Sequence, residues 1–209
     1  DIVSKFNYNL VFFSSYGINE RGIVVDTSFA ETALRKAVFK TCSKKVFLHT
    51  KDKEGLNAPY NLINLKDIDY IALGIGPGSY TGVRIPLAIA KTLYAVRNIK
   101  IIPLSSLKIM GTNKESYIAL MNARSMRSYI GIYDKGTVVM KDQVIKNSEL
   151  KDIIEKYSKE GFIVKGDTGY LNMNLGDTSF DVLKGLVSYA SISGYVSNVD
   201  SLCPIYLKD

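Results

Sequence analysis

Gly74-Ile75-Gly76-Pro77-Gly78-Ser79-Tyr80-Thr81-Gly82-Val83-Arg84 is the stretch on which the fold turns. The apolar run 69–73 enters it like a buried strand of a parallel sheet, and a helical pattern over 85–97 leaves it. Between them the chain must turn sharply and let other backbone approach, with Gly78 expected at positive φ. Exposed amides ahead of a helix N-terminus can also hold an anion. Neither familiar phosphate loop matches. Gly82 is followed by Val83-Arg84 rather than Lys-Ser/Thr, and Thr81 stands where a dinucleotide fingerprint needs its third glycine. On chemistry alone a purely structural turn and an anion contact through Gly76, Pro77, Gly78, Ser79, Tyr80, Thr81, Gly82 and Arg84 stand level.

Around this turn the chain has 209 residues, 46% hydrophobic and 22% charged, which suits one or two globular units with a real core. No apolar run approaches the roughly 18 residues of a membrane span. Cys42 and Cys203 fit no metal or redox spacing, so reduced thiols in a cytoplasmic protein are expected. The net charge of +7 permits an acidic partner or nucleic acid, but the lysines are scattered over a solvated surface. His49 is the one histidine, which rules out any two-histidine site within this chain and fits a surface or helix residue better than a ligand.

Strands are expected at 8–16 and 22–26, and a third at 32–39, where a helix is the alternative. The segment 42–56 carries a weak helical pattern, and 57–67 reads as a loop. The helix from 85 has two apolar faces. Val83, Leu87, Ala90 and Tyr94 form one; Ile85, Ile89, Leu93 and Val96 form the other. Two faces mean burial on both sides, either wholly inside the core or against a partner subunit. A strand at 100–104 follows, then a short helix to Met110 capped by Ser105-Ser106. Strands at 117–121, 126–133 and 137–144 precede a helix capped by Asn147 or Ser148 and stopped at Gly161. A strand at 162–166, a short helix over 185–196 and an extended tail at 204–207 complete the chain. Three strands, a helix, a strand and a glycine turn thus occur twice, which describes a duplicated α/β architecture of two lobes with mixed sheets flanked by helices. The lobes are expected at 1–107, with 185–209 as its candidate completion, and at 108–184.

The stretch 76–85 closely resembles the G-P-G-S-[FY]-T-G-[LV]-R signature of the TsaB (YeaZ) family. Pro103-Leu104-Ser105-Ser106-Leu107 falls where that family has V-S-S-L. Asn122-Ala123-Arg124 with Tyr129 resembles D-A-R…Y, and Pro204-Ile205-Tyr206-Leu207 resembles its closing P-x-Y-L. The resemblance implies an actin-like (ASKHA, ribonuclease H-like) fold. It also implies a non-catalytic subunit that pairs with TsaD and, with the ATPase TsaE, supports threonylcarbamoyl transfer to the adenosine beside the tRNA anticodon. No cofactor or metal is expected on this chain alone; ATP and metal belong to the partners, tRNA is met indirectly, and the chain alone is a homodimer. Its partner surface is expected on Val83, Ile85, Leu87, Ile89, Leu93, Tyr94 and Val96. The chain departs from the family in three places. The first strand ends Phe13-Ser14-Ser15 where Asp-Thr-Ser is usual, Asn122 replaces an Asp, and 41–65 matches the first helix poorly.

Actin-like ATPases hold Mg²⁺ and phosphate through acidic residues at the ends of the first strand of each lobe. A hard cation loses its main ligand type at Ser14-Ser15 and Asn122. Rival readings are an actin-like kinase or acyltransferase using 76–82 for phosphate, a peptidase with Ser79 as nucleophile and His49 as its base, and a simple tRNA-binding module.

Overall fold

The computed structural model describes residues 2–48 and 51–207, apart from the side chains of Ser4 and Lys51. His49 lies outside the described residues.

The strand expected over 8–16 shortens to β1, Val11–Phe13. Beyond it the Ser14 and Ser15 hydroxyls bond to the Leu48 and Gly17 carbonyls, the second of them within the next strand. β2 (Gly17–Ile18) and β3 (Ile23–Asp26) form an antiparallel pair. The segment 32–39 is not a strand but part of helix α1, Phe29–Lys40. Its start lies at Ser28, whose side chain accepts from the Glu31 amide at 3.3 Å, the spacing of a capping box. The same cap puts Asp26-Thr27-Ser28, which spells the Asp-Thr-Ser that the family has at its first strand end, at a helix start instead. Asp26 is 5% exposed and paired with Arg35 on the same helix. The weak helical pattern of 42–56 gives way to β4, Lys45–Leu48, because Val46, Phe47 and Leu48 are all buried in the sheet. The expected loop at 57–67 contains β5, Tyr60–Asn64, antiparallel to β3. β6 (Tyr70–Gly74), α2 (Tyr80–Arg97) and β7 (Lys100–Leu104) follow.

The second half runs β8 (Ser116–Arg124), β9 (Arg127–Asp134), β10 (Thr137–Lys146), α3 (Asn147–Lys159), β11 (Ile163–Gly166) and α4 (Val182–Ala190). Neither expected cap serves α3. The helix begins at Asn147 itself, and the Asn147 carboxamide oxygen instead accepts from the buried Ser128 hydroxyl at 2.8 Å. Gly161 does end it, at φ +88°.

The order β-β-β-α-β occurs twice, in β1–β4 around α1 and in β8–β11 around α3. In each copy the last strand lies parallel to the first: β4 on β1, and β11 on β8. The sheets run β1-β4-β6-β7, β2-β3-β5 and β10-β9-β8-β11. This is the duplicated, mixed-sheet, actin-like plan.

By internal contacts the chain forms two compact units, each discontinuous. One comprises Asp1–Leu73, Ile85–Ile102 and Tyr195–Leu202; the other comprises Gly74–Arg84, Pro103–Gly194 and Cys203–Asp209. In the first, Phe13, Val24, Phe47, Leu62, Leu65 and Ile68 make a core on which Phe39 and Leu93 pack. In the second, Leu150 and Ile154 of α3 pack on Ile118, Leu120, Ile130, Ile132 and Val164 of the sheet. Among the described residues no helix is long and apolar enough to cross a membrane.

Candidate functional site

The glycine turn is held mainly by its backbone. The Ile75 amide donates to the Leu104 carbonyl at 2.8 Å, and the Ser106 amide donates to the Gly76 carbonyl at 2.7 Å. The Ser106 hydroxyl accepts from the Gly76 amide at 3.1 Å. The tail closes over the same point, with the Ile205 amide donating to the Ile75 carbonyl at 2.7 Å. A Cβ on Gly76 would lie 2.6 Å from the Ile205 carbonyl oxygen, and Gly76 has φ +111° before a cis bond to Pro77. The positive φ expected at Gly78 belongs to Gly76 instead. Gly78 lies outside the left-handed region, because the reversal is completed two residues earlier, where the tail crosses.

Helix α2 starts at Tyr80 rather than 85. Ser79 caps it, its hydroxyl accepting from the Gly82 amide at 3.1 Å. A side chain at 82 would collide with that hydroxyl, its Cβ 2.5 Å from Oγ. Ser79 thus serves the backbone. Along α2, Val83, Leu87 and Ala90 are buried, Ile89 and Tyr94 are half-buried, and Ile85 and Val96 are 37% and 66% exposed. Leu93, read with the second apolar face, packs on the first unit's core.

Arg84 and Tyr80, one turn apart, meet the tail. The Arg84 guanidinium lies 4.0 Å from the centre of the Tyr80 ring, and its Nε donates to the Tyr206 hydroxyl at 2.6 Å. The Tyr80 and Tyr206 rings are nearly parallel, at 22°, with centres 6.0 Å apart. Tyr129, from the second-lobe motif, joins them around a pocket of about 140 Å³. The remainder of that motif points to a different task. Ala123 is buried, and the Asn122 side chain accepts from the Arg124 amide at 2.7 Å. Arg124, Ser125 and Met126 all have positive φ in the β8–β9 hairpin. Tyr206 was the residue missed as a site member; the P-x-Y-L tail was its one sequence signal.

At the end of β1, in the first unit, the Lys53 ammonium donates to the Ser14 hydroxyl. Burial pushes the Lys53 pKa below the usual lysine range, Asp52 and Asp26 opposing that and Arg35 adding to it. Where an actin-like ATPase would offer a carboxylate to a cation, this chain offers a hydroxyl and a cation of its own. Among the described residues no three His, Cys, Asp or Glu side chains gather as a metal site.

The sequence model of the family described as TsaD, tRNA N6-adenosine threonylcarbamoyltransferase, matches residues 61–198, more than half of the chain. This chain belongs to that family. Its similar curated relatives are named tRNA threonylcarbamoyladenosine biosynthesis protein TsaB. The one from Buchnera aphidicola is 29% identical over 113 residues, covering 49% of this chain and 54% of the relative. The one from Bacillus subtilis is 35% identical over 96 residues, covering 43% and 42%. The chain therefore spans about half the length of the curated relatives it matches. A solved structure from Pseudomonas aeruginosa, described as an uncharacterized protein with similarity to peptidase YEAZ, superposes with a TM-score of 0.50 at 22% identity. It covers 70% of this chain and 76% of its own, and it bears out the fold of this family member. The TsaB (YeaZ) resemblance read from 76–85 is likewise borne out.

Proposed function

We propose that this family member is a non-catalytic subunit in threonylcarbamoyladenosine formation on tRNA. It pairs in the cytoplasm with a TsaD-like catalytic subunit and a TsaE-like ATPase, binds no cofactor itself, meets tRNA through its partners and dimerises when alone. The observation that carries this reading is the chemistry at the two equivalent strand ends. Ser14 at the end of β1 is occupied by the Lys53 ammonium, and Asn122 near the end of β8 spends its carboxamide on the Arg124 amide. A Mg²⁺ ion needs carboxylate oxygen at such positions, and a resident ammonium repels the cation. The outward strip of α2, with Ile85, Ile89 and Val96, is the partner surface in this reading. Val83 and Leu87 are committed to the core, and the half-buried Tyr94 lies beside them on the helix.

The test is reconstitution with the TsaD-like and TsaE-like proteins of the same cell. Modified tRNA should form only when this chain is added, and the chain alone should turn over no ATP with Mg²⁺. Steady turnover by the chain alone, abolished by Asn122→Ala, would overturn the proposal in favour of an actin-like kinase or acyltransferase.

A further inference from the structure

The cluster at the start of α2 has features that the subunit role leaves unused. Tyr80 is 60% exposed and Tyr206 48% exposed, a poor use of two aromatic rings if their task were only to pin the tail. Arg84 is exposed as well, and among the described residues no carboxylate pairs with it. Its Nε donates to Tyr206, while among the described residues its two terminal nitrogens have no hydrogen-bond partner. The Tyr206 hydroxyl accepts from Arg84 and so keeps its own hydrogen to donate. Beside these donors, Gly78, Tyr80, Tyr129, Ile205, Tyr206 and Leu207 line an open pocket of about 140 Å³. A cavity of roughly 150 Å³ admits benzene, so there is room here for one planar ring.

We propose that Tyr80, Arg84 and Tyr206 form a contact for one unstacked base of single-stranded RNA, with its phosphate on the Arg84 guanidinium. Flat π-faces beside uncompensated donors suit a planar base on an anionic backbone, because stacking tolerates any base and the cation meets the phosphate. An acidic peptide would use Arg84 and leave the rings idle. The net charge of +7 gives the long-range attraction that such a ligand needs. This contact replaces the purely indirect meeting with tRNA in the role proposed above by a direct one, and it is measured on the chain alone, so it stands or falls separately from pairing.

The probe is a short fluorescein-labelled single-stranded RNA followed by anisotropy at several salt concentrations. Tyr80→Ala and Tyr80→Leu, both checked for an unchanged melting temperature, should weaken binding about tenfold, whereas Tyr80→Phe should bind like the parent. Arg84→Met should lower the slope of log K against log salt by about one. The same RNA annealed into a duplex should bind several-fold more weakly, because its bases are already stacked. Crosslinking with 4-thiouridine RNA should label the peptides carrying Tyr80 or Tyr206. Absence of binding at low salt, binding that Tyr80→Ala and Tyr80→Leu leave unchanged, or competition by oligoglutamate as effective as by RNA would each overturn the proposal.

Discussion

Gly76→Ala puts the closure of the turn by the tail to a direct test. A Cβ at this position meets two separate objections. Its φ of +111° is a conformation that L-residues rarely adopt, at a cost of about 1–3 kcal/mol. The Cβ would also lie 2.6 Å from the Ile205 carbonyl oxygen, a backbone atom that cannot rotate away. Relief requires the tail to lift, losing the 2.7 Å bond from the Ile205 amide to the Ile75 carbonyl, about 1 kcal/mol, or the core to strain by about 1–3 kcal/mol. The sum is about 2–6 kcal/mol, a large share of the stability of an ordinary domain. Calorimetry should show the melting temperature falling by about 5–15 °C. Gly78→Ala is the control: its φ is ordinary and its Cβ would meet only the Val83 Cγ2 at 3.3 Å, so its cost should stay below about 1 kcal/mol. In a chain ending at residue 202 the Gly76→Ala cost should shrink to the backbone share alone. A Gly76→Ala protein as stable as the parent, or a cost that truncation leaves unchanged, refutes the role assigned to the tail.

The faces of α2 predict opposite outcomes for one substitution type. Leu87→Asp, at a residue 3% exposed, should unfold the chain, whereas Val96→Asp, at 66% exposure, should melt like the parent and, under the proposed pairing, weaken association with a TsaD-like protein in sedimentation. Acid sensitivity should depend on Glu115, which pairs with Lys165 at 2.9 Å. Burial pushes its carboxyl upward, but hydrogen bonds from Lys165 and Thr112 outweigh this and hold it below the usual glutamate value near 4.5. A lowered folded value means that the carboxylate stabilises the fold above about pH 4.5, and that this is lost as pH falls through the folded value. Urea midpoints of Glu115→Gln should therefore decline less steeply on acidification than those of the parent; equal acid limbs would show the pair to be idle. Tyr117→Phe removes a hydroxyl that donates to the Lys108 carbonyl and lies 2.9 Å from the Tyr189 hydroxyl, both buried, so a loss of about 1–3 kcal/mol in the same assay is expected.

Elements with a local cause can be read from the chain alone. The apolar run before the glycine turn, the amphipathic α3 stopped by Gly161, the β8–β10 strands and the duplicated order were all legible because period and turn chemistry lie within a few residues. The signature at 76–85 was legible as a run of residues, and of its glycines Gly82 meets a constraint within the turn, the Ser79 hydroxyl that caps α2. Tertiary structure decided what depends on residues far apart in the chain. Residues 32–39 alternate imperfectly as a strand and repeat imperfectly as a helix; a cap at Ser28 and burial on the first core make them α1. Residues 45–48 are a strand because parallel neighbours from 11–13 and 70–72 flank them, pairings that no local pattern records. The wheel of α2 displayed two apolar faces but could not say which was buried, since that depends on what packs against each. The site followed the same rule: Tyr80 and Arg84 are neighbours on one helix turn, but Tyr206 reaches them across 122 residues of chain. The positive φ lies at Gly76 rather than Gly78 because the Ile205 backbone crosses there, leaving no room for a side chain.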